Sequence, residues 1–285
     1  MFLKSHYPLE FMVAVLNSGG GFYSRELYIH EARMHGADIQ LPCINWSDEA
    51  VIIKGKTIYL GLGMIKDLEH HTVKEALLER NENGVYMSVD DFVRRVSVSL
   101  EQLSLLIRIG AFRFTGKDKK ALLWHAHFLL GNTGKSQNKL SLFEPEVKKY
   151  SLPAIEHEEI EDVYDEMELL GFPLHSPFYL LKEQPMGCVL ARHLPDKVNK
   201  QVRILGYLVA TKNTGTSKGE RMHFGTFLDE EGQFIDTVHF PPVAKKYPFT
   251  GKGIYLLQGK VFEEFDAISI EVNSQMRLKY QTMDI

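Results

Sequence analysis

Residues 202–211 read VRILGYLVAT, residues 220–240 read ERMHFGTFLDEEGQFIDTVHF and residues 253–272 read GIYLLQGKVFEEFDAISIEV. The first stretch alternates apolar with small or polar side chains at the two-residue period of a strand. The second does so twice, around a DEEG turn at 229–232. Between them lies KNTGTSKGER at 212–221, a basic, glycine-rich loop. After them, PPVAKKYPF at 241–249 has the opening prolines and the length of a short helix, and the last stretch folds back on itself at residues 263–266. Five strands with a helix between the third and fourth is the order of a small closed barrel of the oligonucleotide-binding type, the OB-fold.

Upstream, short helical patterns are separated by turns. LEFMVAVLN ends near the SGGG at 18–21, and YSRELYIHEARMHG opens on a Ser24 cap and closes at Gly36. A small hairpin is expected within residues 37–63. Then come HHTVKEALLERNENG, VDDFVRRV and SLEQLSLLIRIGAF, short helix pairs of the kind that present tight turns and helix N-termini to a phosphate backbone. The fold class is therefore α+β and multidomain, a helical region of helix-hairpin-helix type followed by the barrel. The expected divisions are 1–45, a helical region; 46–130, the hairpin domain; 131–195, a connector with an acidic helix; and 196–285, the barrel.

With 285 residues, 44% of them hydrophobic, the chain can bury more than one core. No apolar run approaches the ~20 residues that cross a bilayer, and Lys4, His6 and Glu10 interrupt the opening segment. No membrane partner and a cytoplasmic location are expected. Cys43 and Cys188 lie far apart and read as buried thiols, and no cofactor or metal is expected on this chain. The net charge of −4 argues against indiscriminate coating of nucleic acid. Acid concentrates in residues 151–195, where nine carboxylates face two cations. The helix EHEEIEDVYDEMELL within it should turn Ile160, Val163, Met167 and Leu170 inward and its carboxylates to water. Attraction to phosphate must come from local clusters: Arg94, Arg95, Arg108, Arg113, Lys117, Lys119 and Lys120, and in the barrel loop Lys212, Lys218 and Arg221. Phe227 and His239 are the candidate base-stacking residues by strand parity. Phe224, Phe234, Phe240 and Tyr255 are assigned to the barrel interior, and Trp46 and Trp124 to the core.

The runs LKSHYPLEFMVAVLNS, YIHEARMHGADIQLPCINWS, GLGMIKDLEHHTVKEALLER, LIRIGAF and ELLGFPLHSPF, in that order ahead of the barrel, resemble the C-terminal part of the bacterial DNA polymerase III alpha subunit, replicative or error-prone. The resemblance implies the end of the fingers in residues 1–45 and a tandem helix-hairpin-helix module that holds duplex DNA. It also implies a sliding-clamp peptide, an OB domain near the single-stranded template, and other replisome or polymerase subunits as partners. The family's palm, whose aspartates hold Mg2+ for nucleotidyl transfer, matches nothing here. The clamp peptide, which resembles Gln-Leu-Ser-Leu-Phe, falls on Leu140, Ser141, Leu142 and Phe143, with Lys139 in place of the leading Gln. The alternative is that Phe143 tucks against the helical domain.

In the first hairpin, the family's glycine-apolar-glycine turn is replaced by Asp67, Leu68 and Glu69, whose carboxylates repel phosphate. That hairpin should be structural, with Lys66 at most a side contact. The second keeps Gly110, flanked by Arg108 and Arg113, and is the better candidate for duplex DNA. Two readings of the whole remain open. One is the DNA-binding, clamp-docking part of a DNA-directed DNA polymerase. The other is a free-standing adaptor for single-stranded nucleic acid, DNA or RNA.

Overall fold

The computed structural model describes residues 2–19, 23–131, 158–215, 219–265 and 267–281. They form two compact units. One comprises Met1–Asn17 with Ala37–Leu174, the other Ser18–Gly36 with His175–Ile285.

In the first unit, α1 (Phe2–His6) and α2 (Pro8–Ser18) precede a small sheet. The helix α3 (Arg25–Met34), capped by the Ser24 hydroxyl on the Leu27 amide, belongs to the second unit. The small sheet has β3 (Thr57–Tyr59) at its centre, parallel to β1 (Asp38–Gln40) and antiparallel to β2 (Ile52–Lys54). The Asn17 side chain exchanges two hydrogen bonds with the Val51 backbone, each 2.8 Å. Four helices follow: α4 (His70–Asn83), α5 (Val89–Arg95), α6 (Leu100–Arg108) and α7 (Lys119–Leu130). Ser88, Ser99 and Asp118 cap the last three, each accepting from first-turn amides that lack a partner within the helix. Tyr86, Phe92 and Phe112 meet edge to face at the centre of this core. After residues 132–157 comes α8 (Glu159–Leu169), whose Ile160, Val163 and Leu169 are buried.

The second unit is a closed barrel of five strands: β4 (Gln201–Gly215), β5 (Arg221–Leu228), β6 (Phe234–His239), β7 (Ile254–Glu264) and β8 (Ala267–Arg277). Around the barrel the order is β4-β5-β6-β8-β7, with β4 closing on β7. Every neighbouring pair is antiparallel except β6 with β8, and α9 (Pro241–Lys246) separates the third strand from the fourth. This is the OB-fold arrangement expected from the sequence. The first strand runs four residues past Thr211, through Lys212–Gly215 of the stretch read as loop. Its outer surface near Tyr207 is covered by α3, whose buried Glu26 pairs with Lys252 at 2.6 Å. Burial raises the Glu26 carboxyl above its ordinary range, with Lys252 opposing that shift.

Candidate nucleic-acid interface

A single irregularity in β4 decides which side chains the barrel offers to solvent. Leu208 pairs with Phe227 and Ala210 with Thr226, so Val209 is an extra residue, a β-bulge. Before it, Val202, Ile204 and Leu208 point into the core. After it the parity is reversed, and Lys212, which regular alternation would send inward, stands outward opposite Phe224. Phe224 in turn lies opposite Val238 of β6. Directly opposed residues share a face, so Lys212, Phe224 and Val238 form one row across three strands. Phe224 is 40% exposed, and Phe240, just beyond β6, is 43% exposed. At the adjoining barrel end, Arg221 lines a groove of about 510 Å³ with Glu220, His223, Pro241, Pro242 and Lys245. Lys218 lies outside the described residues.

The aromatic assignment made from parity holds for Tyr255 but is reversed for Phe224, Phe227, His239 and Phe240. Phe227 and His239 are fully buried and Tyr255 nearly so, while Phe224 and Phe240 are the exposed rings. Phe227 fills the barrel because two glycines make room for it. A Cβ on Gly206 would stand 2.8 Å from the Phe227 Cβ, and one on Gly225 would stand 2.8 Å from its Cε2. Those two glycines are the sequence signal for an inward Phe227. His239 packs on Phe249 with centroids 4.8 Å apart, and its Nε2 lies 2.9 Å from the Thr237 hydroxyl. Burial lowers its pKa to about 4, so the ring is neutral at pH 7. The two tryptophans are also more exposed than expected, Trp46 at 42% and Trp124 at 49%.

In the helical unit the expected contact residues have other partners. Arg113 donates from Nη1 to the Pro42 carbonyl and from Nη2 to the Leu41 carbonyl, both at 2.9 Å, and its guanidinium lies 5.9 Å from the Trp46 ring centre. Arg108 donates from Nε to Asp165 at 2.8 Å and from Nη2 to Glu168. Lys119 is held by Asp162 at 2.6 Å and by Asp165, and Lys120 by Glu161 at 2.7 Å. Glu161, Asp162, Asp165 and Glu168 of α8 thus meet cations, while Glu159 faces water as expected. Even Glu166 is buried, accepting from the Leu174 amide at 2.6 Å. Glu168 is held below the ordinary carboxylate range by its hydrogen bonds from Arg108.

The first hairpin turn passes through Asp67 at φ +61°, the left-handed region in which glycine is unstrained and an L-side chain is not. Buried Gln102 closes this turn from inside. Its Oε1 accepts from the Glu69 amide at 2.7 Å and its Nε2 donates to the Asp67 carbonyl at 3.1 Å. The Lys66 amide donates to the Leu169 carbonyl, and its ammonium lies 3.9 Å from Asp67. In the second hairpin Gly110 has φ +76°, and its amide and that of Ala111 close the end of α6 on Ile107 and Leu106. Leu140, Ser141, Leu142 and Phe143 lie outside the described residues. Among the described residues no group of three His, Cys, Asp or Glu could hold a metal ion, and no helix is long and apolar enough to cross a membrane.

Residues 36–122 match the helix-hairpin-helix motif family. The chain is 26% identical over 289 residues to an error-prone DNA polymerase of Rhodopirellula baltica, covering 95% of this chain and 24% of that protein. It is 30% identical over 293 residues to a DNA polymerase III subunit alpha of Staphylococcus epidermidis, again covering 95% of this chain and 26% of the relative. The chain therefore spans about a quarter of the length of these relatives. Among solved structures, the second OB-fold domain of replication protein A from Methanococcus maripaludis aligns with a TM-score of 0.23 at 15% identity, covering 30% of this chain and 90% of that one.

Proposed function

We propose that this chain, a homologue of bacterial DNA polymerase III alpha subunits and error-prone DNA polymerases across nearly its whole length, serves DNA replication by holding single-stranded DNA on its barrel. Nucleotidyl transfer would belong to the part of such polymerases that this chain does not span. The observation that carries the reading is the outward row of Lys212, Phe224 and Val238 on a closed OB barrel. An ammonium beside an exposed ring supplies what a single strand needs, a phosphate partner and a platform for a base, without reading sequence. Arg221 and Lys245 extend the positive surface into the neighbouring groove, and Lys218 would join them from the loop. Docking to a sliding clamp through Leu140, Ser141, Leu142 and Phe143 is the second part of the proposal. It rests on the apolar group set in polar sequence and on the resemblance to the family's peptide.

Fluorescence anisotropy against single-stranded and duplex DNA at several salt concentrations tests the first part. Binding should prefer the single strand. Charge reversal of Lys212, Lys218 and Arg221 together should lower affinity at least tenfold and flatten the salt dependence by about 0.7 for each phosphate no longer neutralised. L142A/F143A should leave that affinity alone and weaken clamp binding by about thirtyfold, the value of ~2 kcal/mol from an anchor pair. Equal binding to single-stranded and duplex DNA, or no response to the charge reversals, would sink the barrel reading. The adaptor alternative predicts undiminished function in the absence of any polymerase partner, and co-purification with one would exclude it.

A further inference from the structure

We propose that the groove at the start of β4, lined by Lys197, Lys200, Gln201, Arg203 and Gln258, is a second phosphate-binding site, one that takes the backbone of a nucleic acid strand without its bases. It rests on the strand-holding reading above but lies at the opposite end of β4, against β7 rather than β5 and β6. Gln201 and Arg203 share one face of β4, and Gln258 of β7 stands directly opposite Arg203. Arg203 and Lys212 lie nine positions apart along β4, about 30 Å of extended chain at ~3.3 Å per residue.

Three features mark the groove as built for an anion. Its volume is about 450 Å³ and its lining has three cations and no carboxylate. None of these cations forms an ion pair among the described residues. Lys200 reaches only the Asp196 carbonyl at 3.3 Å, and Arg203 reaches only the Met186 carbonyl at 3.3 Å. The Arg203 Nε is buried without a hydrogen-bond partner, although a buried charged donor normally has one. The loop carrying both lysines is also fixed in place. Asn199, at φ +66°, donates its amide to Val261 of β7 at 2.8 Å, and the Val261 amide returns to the Lys200 carbonyl at 3.0 Å. Two long side chains are thereby presented from a rigid base, which lowers the ordering cost of binding. No aromatic ring lines the groove, so it offers charge without a stacking platform.

The test uses the full chain, deoxythymidine oligomers of about 6 and about 20 nucleotides, near the lower end of and above the roughly 4–16-nucleotide site size of one barrel, and the K197A/K200A variant. Both lysines are on the surface and Lys200 is tied by its main chain, so the fold is kept. The long oligomer should lose roughly tenfold in affinity and about 1.4 in salt slope, two phosphates at ~0.7 each. The short one, seated on the Phe224 row, should be unchanged. An F224A/K212A variant should weaken both. If the wild-type chain binds neither oligomer, the strand-holding reading falls and takes this inference with it. If it binds both and K197A/K200A leaves the long-oligomer slope unchanged, the groove proposal alone is overturned. It is overturned as well if polyglutamate binds the wild-type chain, fails to bind K197A/K200A and does not compete with the long oligomer, since the groove then serves an acidic peptide.

Discussion

The helical unit and the barrel have basic clusters that look alike in sequence and are placed differently in space. In the helical unit, arginines and lysines are internal fasteners. Arg80 and Arg95 donate to main-chain carbonyls around α4, Arg113 holds Leu41 and Pro42, and Arg108, Lys119 and Lys120 bind α8. In the barrel, a bulge turns Lys212 outward beside an exposed ring, and Arg203 has a buried donor with no partner. The difference teaches that a count of cations says little about phosphate binding until the acids that meet them in space are known.

The sharpest way to break this comparison is to cut the fastening. Asp165 is the hub, accepting from both Arg108 and Lys119 while only slightly exposed itself. D165A leaves two cations without their shared acceptor and should cost about 3 kcal/mol, the low end for breaking a buried pair. Both tryptophans, Trp46 and Trp124, lie in the helical unit. Urea unfolding followed by their fluorescence should therefore show the loss. If D165A were instead neutral in stability and gained duplex binding, the contrast between the units would fail.

Phe224 tests the other side. F224A removes a ring that supports no core, so the barrel should keep its stability while single-strand affinity falls by about 2 kcal/mol, or roughly thirtyfold. F227A should do the reverse, unfolding the barrel by about 3 kcal/mol or more as a large core truncation.

Acid should destabilise both units but separate them by the pH window in which each loses stability. His239 and His30, both in the barrel unit, are lowered by burial to about 4 and about 3 from an ordinary 6.5. A base with a lowered pKa contributes stability that is complete above 6.5 and is lost as pH falls toward the folded value. Between pH 6.5 and 4 the barrel should lose about 1 kcal/mol per pH unit for each ring. In the helical unit, Asp91 and Glu168 are held low by their hydrogen bonds, so their contribution is present above the carboxylate range and lost only below it. Hydrogen exchange of β7 and α6 amides from pH 7 to 4 should show β7 loosening first, and H239Q should reduce its slope.

What can be read in the sequence is what local chemistry determines. Strand order, the α9 position, the Ser24 cap and the misfit of Asp67 in the first hairpin are each written in neighbouring residues. What escapes depends on distant ones. Strand parity misplaces Phe224 and Phe227 because β4 and β5 are buried on both faces around Tyr207 and Leu228, which erases alternation, and because Gly225 occupies an inward position that looks polar. The α8 carboxylates look solvated in sequence because their partners lie some forty to sixty residues away along the chain.

Asp67 gives the smallest effect and the cleanest sign. At φ +61° its side chain is strained by about 1 kcal/mol relative to glycine, and its only ionic neighbour among the described residues is the exposed ammonium of Lys66 at 3.9 Å. D67G should therefore stabilise the helical unit by up to ~1 kcal/mol in tryptophan-monitored urea unfolding, offset in part by the greater freedom of glycine in the unfolded chain. It should not create duplex binding, because the Glu69 amide that a phosphate would seek is already held by Gln102. Duplex affinity should appear only when Q102A is added to D67G, freeing that amide. If D67G alone bound duplex DNA, the first hairpin would be a phosphate site restrained by a single carboxylate, and the helical unit would be a second strand holder rather than a fastened support.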